Sequence, residues 1–451
     1  MAWEVINSTG IKEGVKSSGW SIMTALGRVK TLYDSTFFTG TNWTDLTDGG
    51  ATTLHSHTGG GGFTTPGGRL TLTTAVPVLT SDVSAAGTVY YALYTHDQIP
   101  IYDGATWTNT TFTELSNILA NSAVGSAGPA AATADSAYDL FVWSNSGTMT
   151  LTRGPNWTTA ATITVTIAVP AVVTWTSHGL HEASPVIFTT TGALPTGITA
   201  GTVYYVGRSP AVNTFNISTT VANAAVGTFI TTTGTQSGTH TGTNRDSVRG
   251  TGTALVRQNG ILLNDAAITN GPGASRGVYV GTIRTDSTGA QVDWELGGNA
   301  ANGDPGFLYV WNMYNRVLVN LSEGDTIDSW TYGTDTYRAT NNSSTNRISM
   351  VRGLNEDGVF VVHQARVVGD GSNALAVGVG LDSVTTRSGL GSQGSTSSTV
   401  ETLPQGVYSG FPGIGFHFLS GIERASGGSP TVYGDAANTR NQLGLAFTGL
   451  F

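Results

Sequence analysis

Residues 138–153, YDLFVWSNSGTMTLTR, hold the clearest fold signal in the chain. Two short runs of aromatic, β-branched and other apolar residues flank an Asn-Ser-Gly stretch, and this composition is typical of strands separated by turn residues. Comparable runs occur farther along the chain, at VYYALY (89–94), VYVGTIRT (278–285), FLYVWN (307–312) and VFVVHQARV (359–367). Because almost no segment has the period of a crossover helix, the sequence predicts antiparallel strands and an all-β fold.

The composition excludes several classes of protein. The chain has 451 residues, 20 basic and 29 acidic, so its formal net charge is −9. A nucleic-acid binder needs a dense basic face for phosphate contacts, which this balance argues against. The sequence contains no cysteine, which removes disulfides, thiolate nucleophiles and Cys-ligated zinc. Charged residues make up only 11% of the chain, so hydroxyls, amides and backbone must form most of its surface.

No targeting or membrane segment is expected. The first residues, MAWEVIN, lack a basic stretch followed by an apolar stretch, so no secretory signal is predicted. The longest apolar runs, such as residues 167–173, are far shorter than the ~18 residues of a membrane helix. We therefore expect no membrane insertion.

The first 58 residues differ from the rest and are predicted to form an attachment segment. Ile22, Leu26, Val29 and Tyr33 follow the period of one helix face, which predicts a short helix around residues 16–34. This helix either contacts a different partner or packs on its own domain. Residues 59–68 contain a run of four glycines and are predicted to be a joint, because such a run cannot form a regular element without a large entropic cost.

Residues 159–243 form a further compositional unit. They contain only two charged residues, Glu182 and Arg208, and their Thr-, Val- and Ala-rich runs alternate with a period of two. Such short, evenly spaced strands indicate a small β-sandwich or barrel inserted into another domain. The predicted organisation is therefore a first β-domain part at 69–158, the insert at 159–243, a continuation at 244–345 and a C-terminal β-sandwich at 346–451.

Two stretches near the end of the sequence lead to further expectations. Residues 388–399 are rich in Ser and Gly, which predicts a long exposed loop. Residues 443–451, LGLAFTGLF, are apolar throughout, so they should dock as a strand or lie between subunits. The many predicted strand edges need covering, and closure of an oligomer is one common way to cover them.

Several segments resemble bacteriophage virion proteins described as tail fibres, head fibres or minor structural proteins. The insert, with HGL at 178–180 and VIFTTTGALPTGITAGTVYY at 186–205, resembles a small β-domain found in many phage tail proteins. The resemblance implies a homotrimeric, elongated β-rich appendage, of sandwich or jelly-roll type, attached by its N-terminal end. The segments that carry it are TDGGATTLHSH (47–57), IPIYDGATW (99–107), residues 138–153, RGTGTALVRQNGILLN (249–264), RGVYVGTIRT (276–285), YVWNMYNR (309–316), DSWTYGTDTYR (328–338) and residues 416–435.

His55 and His57 form a candidate metal site. Side chains two residues apart on an extended chain point to the same side, and a trimer would bring six imidazoles together on its axis. Neutral imidazole binds Fe, Ni, Cu or Zn. The alternative is a pair of exposed histidines beside the glycine joint.

The sequence motifs that would indicate catalysis match only in part. GASRG at residues 273–277 matches the string of a nucleophile elbow around Ser275, but a Pro-Gly loop precedes it and a predicted strand follows it. The carboxylate pairs Asp293/Glu295, Glu323/Asp325 and Glu356/Asp357 were considered for glycan hydrolysis, which needs two carboxyls ~5–9.5 Å apart across a sugar. No repeat typical of a β-helical depolymerase occurs. We therefore expect a protein that is not an enzyme, with a glycan depolymerase or esterase as the alternative.

Aromatic residues concentrate between residues 290 and 340. Exposed aromatic rings stack on sugars and anchor partner surfaces, whereas alternating aromatics in strands also form cores and subunit contacts. The candidates for binding are Trp294, Trp311, Tyr314, Trp330, Tyr332 and Tyr337.

The sequence thus favours a trimeric tail fibre or adhesin that binds a host surface glycan and contacts capsid or tail proteins through its N-terminus. A head fibre or capsid-decoration protein is the alternative. Either would be assembled in the bacterial cytoplasm and located in the virion.

Overall fold

A computed structural model describes residues 63–122, 128–298, 305–434 and 443–451. Within this part of the chain, Thr64–Phe451 forms one compact unit. The predicted helix at 16–34, with Ile22, Leu26, Val29 and Tyr33, lies outside the described residues, and so do His55 and His57. Their roles remain predictions.

The first eight strands precede the predicted insert. They are β1 (Gly68–Thr71), β2 (Val83–Ala86), β3 (Thr88–Leu93), β4 (Gln98–Tyr102), β5 (Trp107–Thr111), β6 (Leu115–Ile118), β7 (Ala137–Asn145) and β8 (Thr148–Asn156).

The next seven strands, with one helix, span residues 159–244, a segment that we call the module. They are β9 (Thr159–Val165), β10 (Val173–Thr174), β11 (Pro185–Thr190), β12 (Val203–Val206), β13 (Thr214–Phe215), β14 (Ile217–Ser218), α1 (Val221–Val226) and β15 (His240–Asn244).

The remaining strands complete what we call the body, which is Thr64–Phe451 without the module. They are β16 (Leu255–Gln258), β17 (Ile261–Asn264), β18 (Val278–Arg284), β19 (Val292–Leu296), β20 (Gly306–Leu308), β21 (Val310–Asn312), β22 (Leu318–Gly324), β23 (Ser329–Thr331), β24 (Arg338–Ala339), β25 (Arg347–Arg352), β26 (Val359–Gln364), β27 (Arg366–Val368), β28 (Leu375–Leu381), β29 (Leu390–Gln393), β30 (Glu401–Thr402), β31 (Gln405–Gly410), β32 (Gly415–Ala425), β33 (Thr431–Tyr433) and β34 (Gly444–Leu450). Two 3-10 turns, Thr251–Thr253 and Thr340–Asn342, lie between them.

These strands form a nearly all-antiparallel set of sheets, which confirms the all-β prediction. The body contains a twelve-stranded sheet, a six-stranded sheet and smaller sheets of four, three and two strands. Among the described strands, β20 and β25 make the one parallel pairing. Short connections suffice between antiparallel neighbours, so the fold needs almost no helix.

The module has its own sheet and its own core. Its strands are ordered β13-β10-β9-β15-β11-β12-β14, and none pairs with a described strand of the body. Trp175, Phe188 and Phe215 are among the buried residues of a hydrophobic cluster that lies wholly within the module. The first and last strands are hydrogen-bonded neighbours, with Thr159 opposite Asn244. The chain therefore enters and leaves the module at one place.

A buried arginine–aspartate pair fixes the point at which the chain enters and leaves the module. The Arg249 guanidinium donates to both carboxylate oxygens of Asp139, at 2.7 and 2.8 Å, just after the chain leaves the module. Its flat face lies 4.3 Å from the ring centroid of Trp157, a fully buried residue just before the module begins. Bidentate pairs with stacking of this kind restrict orientation as well as distance.

The body is continuous across the predicted division between residues 345 and 346. The twelve-stranded sheet combines β19, β20 and β22 with β25, β32 and β34, so both sides of the division share one sheet. The residues that fill the space beneath it form one large buried cluster, which includes Trp311, Met350 and Phe418.

The Ser- and Gly-rich stretch at 388–399 is only partly loop. Residues 390–393 form β29, which lies between β28 and β31 in the large sheet. A Cβ on Gly391 would lie 2.5 Å from the Val377 carbonyl oxygen, and a Cβ on Gly406 would lie 2.4 Å from Cα of Gly378. The glycines are therefore needed for close backbone approach, a use that composition alone does not distinguish from flexibility.

The apolar residues at 443–451 dock as a strand. β34 pairs with β22 on one side and β26 on the other. Phe451 is fully buried, exchanges two backbone hydrogen bonds with Val317 and packs edge-on against Trp294 at 5.9 Å. Among the described residues, no helix is long and apolar enough to cross a membrane.

Replacing Phe451 with Ala should lower the free energy of unfolding by about 3–5 kcal/mol, because a fully buried aromatic ring is lost. Leu450→Ala is the matched control: this neighbouring side chain is 38% exposed, and its loss should cost under about 1 kcal/mol. Urea denaturation monitored by tryptophan fluorescence measures both values. Equal effects of the two substitutions would contradict the docking of Phe451.

His363 should make the protein less stable in acid. This residue of β26 is 1% exposed and donates from Nδ1 to the Gly378 carbonyl oxygen at 3.0 Å. Burial lowers the pKa of His363 to about 4. Since the unfolded imidazole titrates near ~6.5, its contribution is complete above that pH and falls by up to about 3 kcal/mol as the pH drops towards 4.

The test compares the parent with His363→Gln in urea denaturation between pH 4 and 7.5. The variant should lose less stability than the parent over this interval, because the imidazole no longer takes up a proton on unfolding. Parallel pH profiles would show that His363 does not contribute.

Candidate functional site

A cleft of about 500 Å³ lies between the module and the body. The module lines it with Tyr205 of β12 and with residues 219–222, where α1 begins. Thr220 caps this short helix by accepting a hydrogen bond from the Asn223 backbone N–H, which fixes the helix start at the cleft. The body contributes Arg284, Tyr309 and other residues described below.

Arg284, at the end of β18, is held from two sides. Its Nη2 lies 2.9 Å from Asp135 Oδ1 and its Nε lies 3.0 Å from Asp246 Oδ2. Tyr205 of the module donates its hydroxyl to the other oxygen of Asp135 at 2.7 Å. The guanidinium also lies 4.1 Å from the ring centroid of Phe416. Because two carboxylates face it, the charge of Arg284 is already balanced within the protein.

Arg347, the first residue of β25, is different. It is 9% exposed, and its Nη1 atom has no hydrogen-bond partner among the described residues. Its guanidinium lies 4.9 Å from the ring centroid of Phe418, and burial lowers the pKa of Arg347. A buried donor without an acceptor is costly, and the commonest explanations are a bound water or ligand.

Two further carboxylates line the cleft. Asp286 accepts backbone N–H groups of Thr288 and Gly289 and so shapes a turn at the rim. Asp293 accepts the Ala85 N–H at 2.8 Å, and burial raises the pKa of Asp293. With the partly exposed ring of Phe307, the lining combines an apolar face with hydrogen-bond donors and acceptors, and Tyr309 packs behind that ring. Such a lining has the chemistry that holds a hydroxyl-rich ligand such as a sugar.

Most of the carboxylate pairs proposed from the sequence serve the fold. Asp325 accepts from the side-chain amides of Asn341 and Asn346. Asp357 forms ion pairs with Arg316 and Arg352. Asp293 is the member of these pairs that lines the cleft described above.

The loop around Ser275 also has a structural basis. The Asn264 side chain accepts from the backbone N–H groups of Arg276 and Gly277 and donates to the Gly273 carbonyl oxygen. The loop leads directly into β18 rather than into a helix. This matches the expectation of a loop entering a strand rather than a nucleophile elbow.

Trp294 and Trp311 are core residues. They are 4% and 0% exposed, so neither ring has a free face within the chain. Trp311 stacks on Tyr279, with ring centroids 6.4 Å apart, and donates from Nε1 to Asp357. The binding expectation therefore does not extend to these two tryptophans. Tyr314 is partly buried against the same core.

Trp330, Tyr332 and Tyr337 are only partly buried. Trp330 donates from Nε1 to Glu423 at 2.9 Å, and Glu423 also pairs with Arg338, whose guanidinium lies 3.8 Å from the ring centroid of Tyr332. Tyr337 lines a separate cleft of about 390 Å³. These three aromatics therefore lie at the surface and do not line the cleft between module and body.

Sequence patterns alone do not identify the charged residues that line the cleft between module and body. Arg284 ends the largely apolar strand segment VYVGTIR, and Arg347 begins RISMVR, which also contains Ser349 and Arg352. An arginine in such a position is seldom fully buried without a partner, and this was the available signal.

No protein-family model matches the chain. A search of curated proteins also found no match. The geometry of the sites and the segment resemblances are therefore the basis for the functional proposal.

Arg347→Met should leave the free energy of unfolding within about 1 kcal/mol of the parent, or raise it, because Arg347 makes no close ion pair with the described residues and its removal ends a desolvation cost. Arg284→Met should instead lower it by about 3–5 kcal/mol, since Asp135 and Asp246 would be left buried without their partner. Urea denaturation at pH 7 distinguishes the two. A large loss for Arg347→Met would show that the residue serves stability.

Proposed function

We propose that the chain is a trimeric structural component of a bacteriophage particle, a tail fibre or adhesin that binds a host surface glycan. The observation that carries the binding role is Arg347, a largely buried cation that lines the cleft and whose Nη1 has no hydrogen-bond partner among the described residues. A buried polar group for which the fold supplies no partner is a candidate for ligand binding.

The scaffold supports this role. The described body consists mainly of strands, and the cleft residues lie on strands, near strand ends, at the start of α1 or on the short turn between β18 and β19. Sites built on such elements hold their geometry well. The segments that resemble phage virion proteins support the phage context, and the N-terminal attachment segment and the trimer belong to that same proposal.

The ligand that fits the cleft is a hydroxyl-rich sugar bearing a carboxylate. The carboxylate would pair with Arg347, the hydroxyls with Asp286, Thr288 and Thr220, and the sugar face with the partly exposed ring of Phe307. Three copies in one trimer would multiply a weak single-site affinity through effective concentration.

Binding of defined oligosaccharides to the purified protein tests the ligand. An acidic oligosaccharide should bind more tightly than its neutral counterpart, and Arg347→Met should weaken acidic binding by roughly 10- to 100-fold, the value of one lost charge-assisted hydrogen bond. Arg366→Gln is the matched control, because Arg366 pairs with Glu401 and does not line the cleft. Equal binding by parent and Arg347→Met would contradict the assignment of the cleft.

Particle experiments test the location. Soluble protein at micromolar concentration should block infection, and virions should carry few copies of the chain. Many copies per particle without blocking would favour the head-fibre or capsid-decoration alternative. Release of reducing sugar from the acidic oligosaccharide would instead indicate a depolymerase.

A further inference from the structure

His181, Asp382 and His417 converge at the seam between module and body. His181 belongs to the module loop between β10 and β11, Asp382 follows β28 and His417 lies within β32. The Nδ1 atom of His417 is 2.7 Å from one oxygen of Asp382, and that of His181 is 3.7 Å from the other. A ring nitrogen of each histidine and a carboxylate oxygen all lie within 4.8 Å of one another. Residues about 200 positions apart thus present three ligand atoms to one point.

The opposite nitrogen of each ring is anchored to the backbone. His181 Nε2 donates to the Phe416 carbonyl oxygen at 2.8 Å, and His417 Nε2 donates to the Ile414 carbonyl oxygen at 3.1 Å. Because a carbonyl oxygen only accepts, each Nε2 must carry a proton, which leaves the Nδ1 atoms as the nitrogens on the side of Asp382. Histidines that bind metals usually donate their second N–H to a carbonyl or carboxylate in this way.

The carboxylate is oriented as well. Asp382 Oδ1 accepts the Phe418 N–H at 3.0 Å, while the Asp382 N–H donates to the Phe418 carbonyl oxygen at 2.9 Å. The His181 backbone N–H donates to Ser184 Oγ at 3.1 Å, which fixes the module loop. The three side chains therefore sit on braced backbone, as a preorganised site requires.

The two imidazole rings are arranged to share one cation with Asp382. They stack with centroids 5.6 Å apart at an interplanar angle of 23°. Nδ1 of His181 also lies 2.8 Å from the Glu182 carbonyl oxygen, which adds a further oxygen atom beside the cluster. Imidazole nitrogen and carboxylate oxygen are ligands that divalent transition metals accept together.

We propose that His181, Asp382 and His417 bind a divalent transition metal ion of the zinc type that links the module to the body. Two imidazoles and one carboxylate are ligands that Zn²⁺ accepts, and the partial exposure of the three side chains, 16%, 15% and 9%, leaves room for water to complete the coordination. The site is separate from the glycan proposal and does not depend on it.

Zinc binding to the untagged protein tests the proposal. The protein is treated with a chelator and then titrated with Zn²⁺ by calorimetry, in a His55→Ala/His57→Ala background that removes the other histidine pair. About one zinc ion should bind per chain, and hydrogen exchange should slow in residues 177–184 and 382–386 when it does. Binding of no zinc in this background would overturn the proposal.

Variants locate the site. Asp382→Asn and His417→Gln, which keep side-chain size, should each weaken zinc binding by at least about tenfold. His96→Gln is the control, since His96 lies outside the cluster and should leave binding unchanged. Circular dichroism checks that each variant keeps its β-spectrum. Unchanged zinc affinity in both cluster variants would place any bound ion elsewhere and overturn the assignment.

Discussion

A buried arginine balanced by two aspartates fixes where the module meets the body. Asp135 precedes β7, and Asp246 follows the module. Arg284, the last residue of β18, forms an ion pair with each of these two carboxylates. A charge removed from water demands partners at short range, so the three segments can assemble in few other ways. Tyr205 of the module adds a hydrogen bond to Asp135 and thereby extends the constraint across the junction. Asp135, Tyr205 and Arg284 all line the cleft, so these contacts form part of its wall.

Local sequence patterns were sufficient to predict the strands. The run at 138–153 became β7 and β8, joined at the Ser146-Gly147 turn, and the alternation within 159–243 became a sheet with its own core. Local patterns did not predict the structure where the same composition occurs in two different structural settings. Ser and Gly at 390–393 suggested a loop, yet the missing side chains allow strands to approach closely. Likewise the aromatic-rich region gave both the buried Trp311 and the accessible Tyr337, because aromatic content does not specify which strand face is inward.

The candidate sites were beyond what the sequence could indicate. Arg347 owes its importance to the lack of an acceptor for Nη1, which becomes visible only when its neighbours are placed. His181, Asp382 and His417 belong to three segments without any spaced-ligand motif, so only the packing of the module on the body brings them together. The histidine pair with a recognisable motif, His55 and His57, stays a prediction.

The docking of β34 has a consequence for biosynthesis. This strand pairs with β22, more than a hundred residues earlier, and with β26, so neither partner is complete until residues 444–450 have emerged from the ribosome. A nascent chain that stops earlier would display two open strand edges, which favour aggregation and proteolytic removal. Folding of β22 and β26 into the large sheet therefore depends on a strand that is synthesised later than either of them.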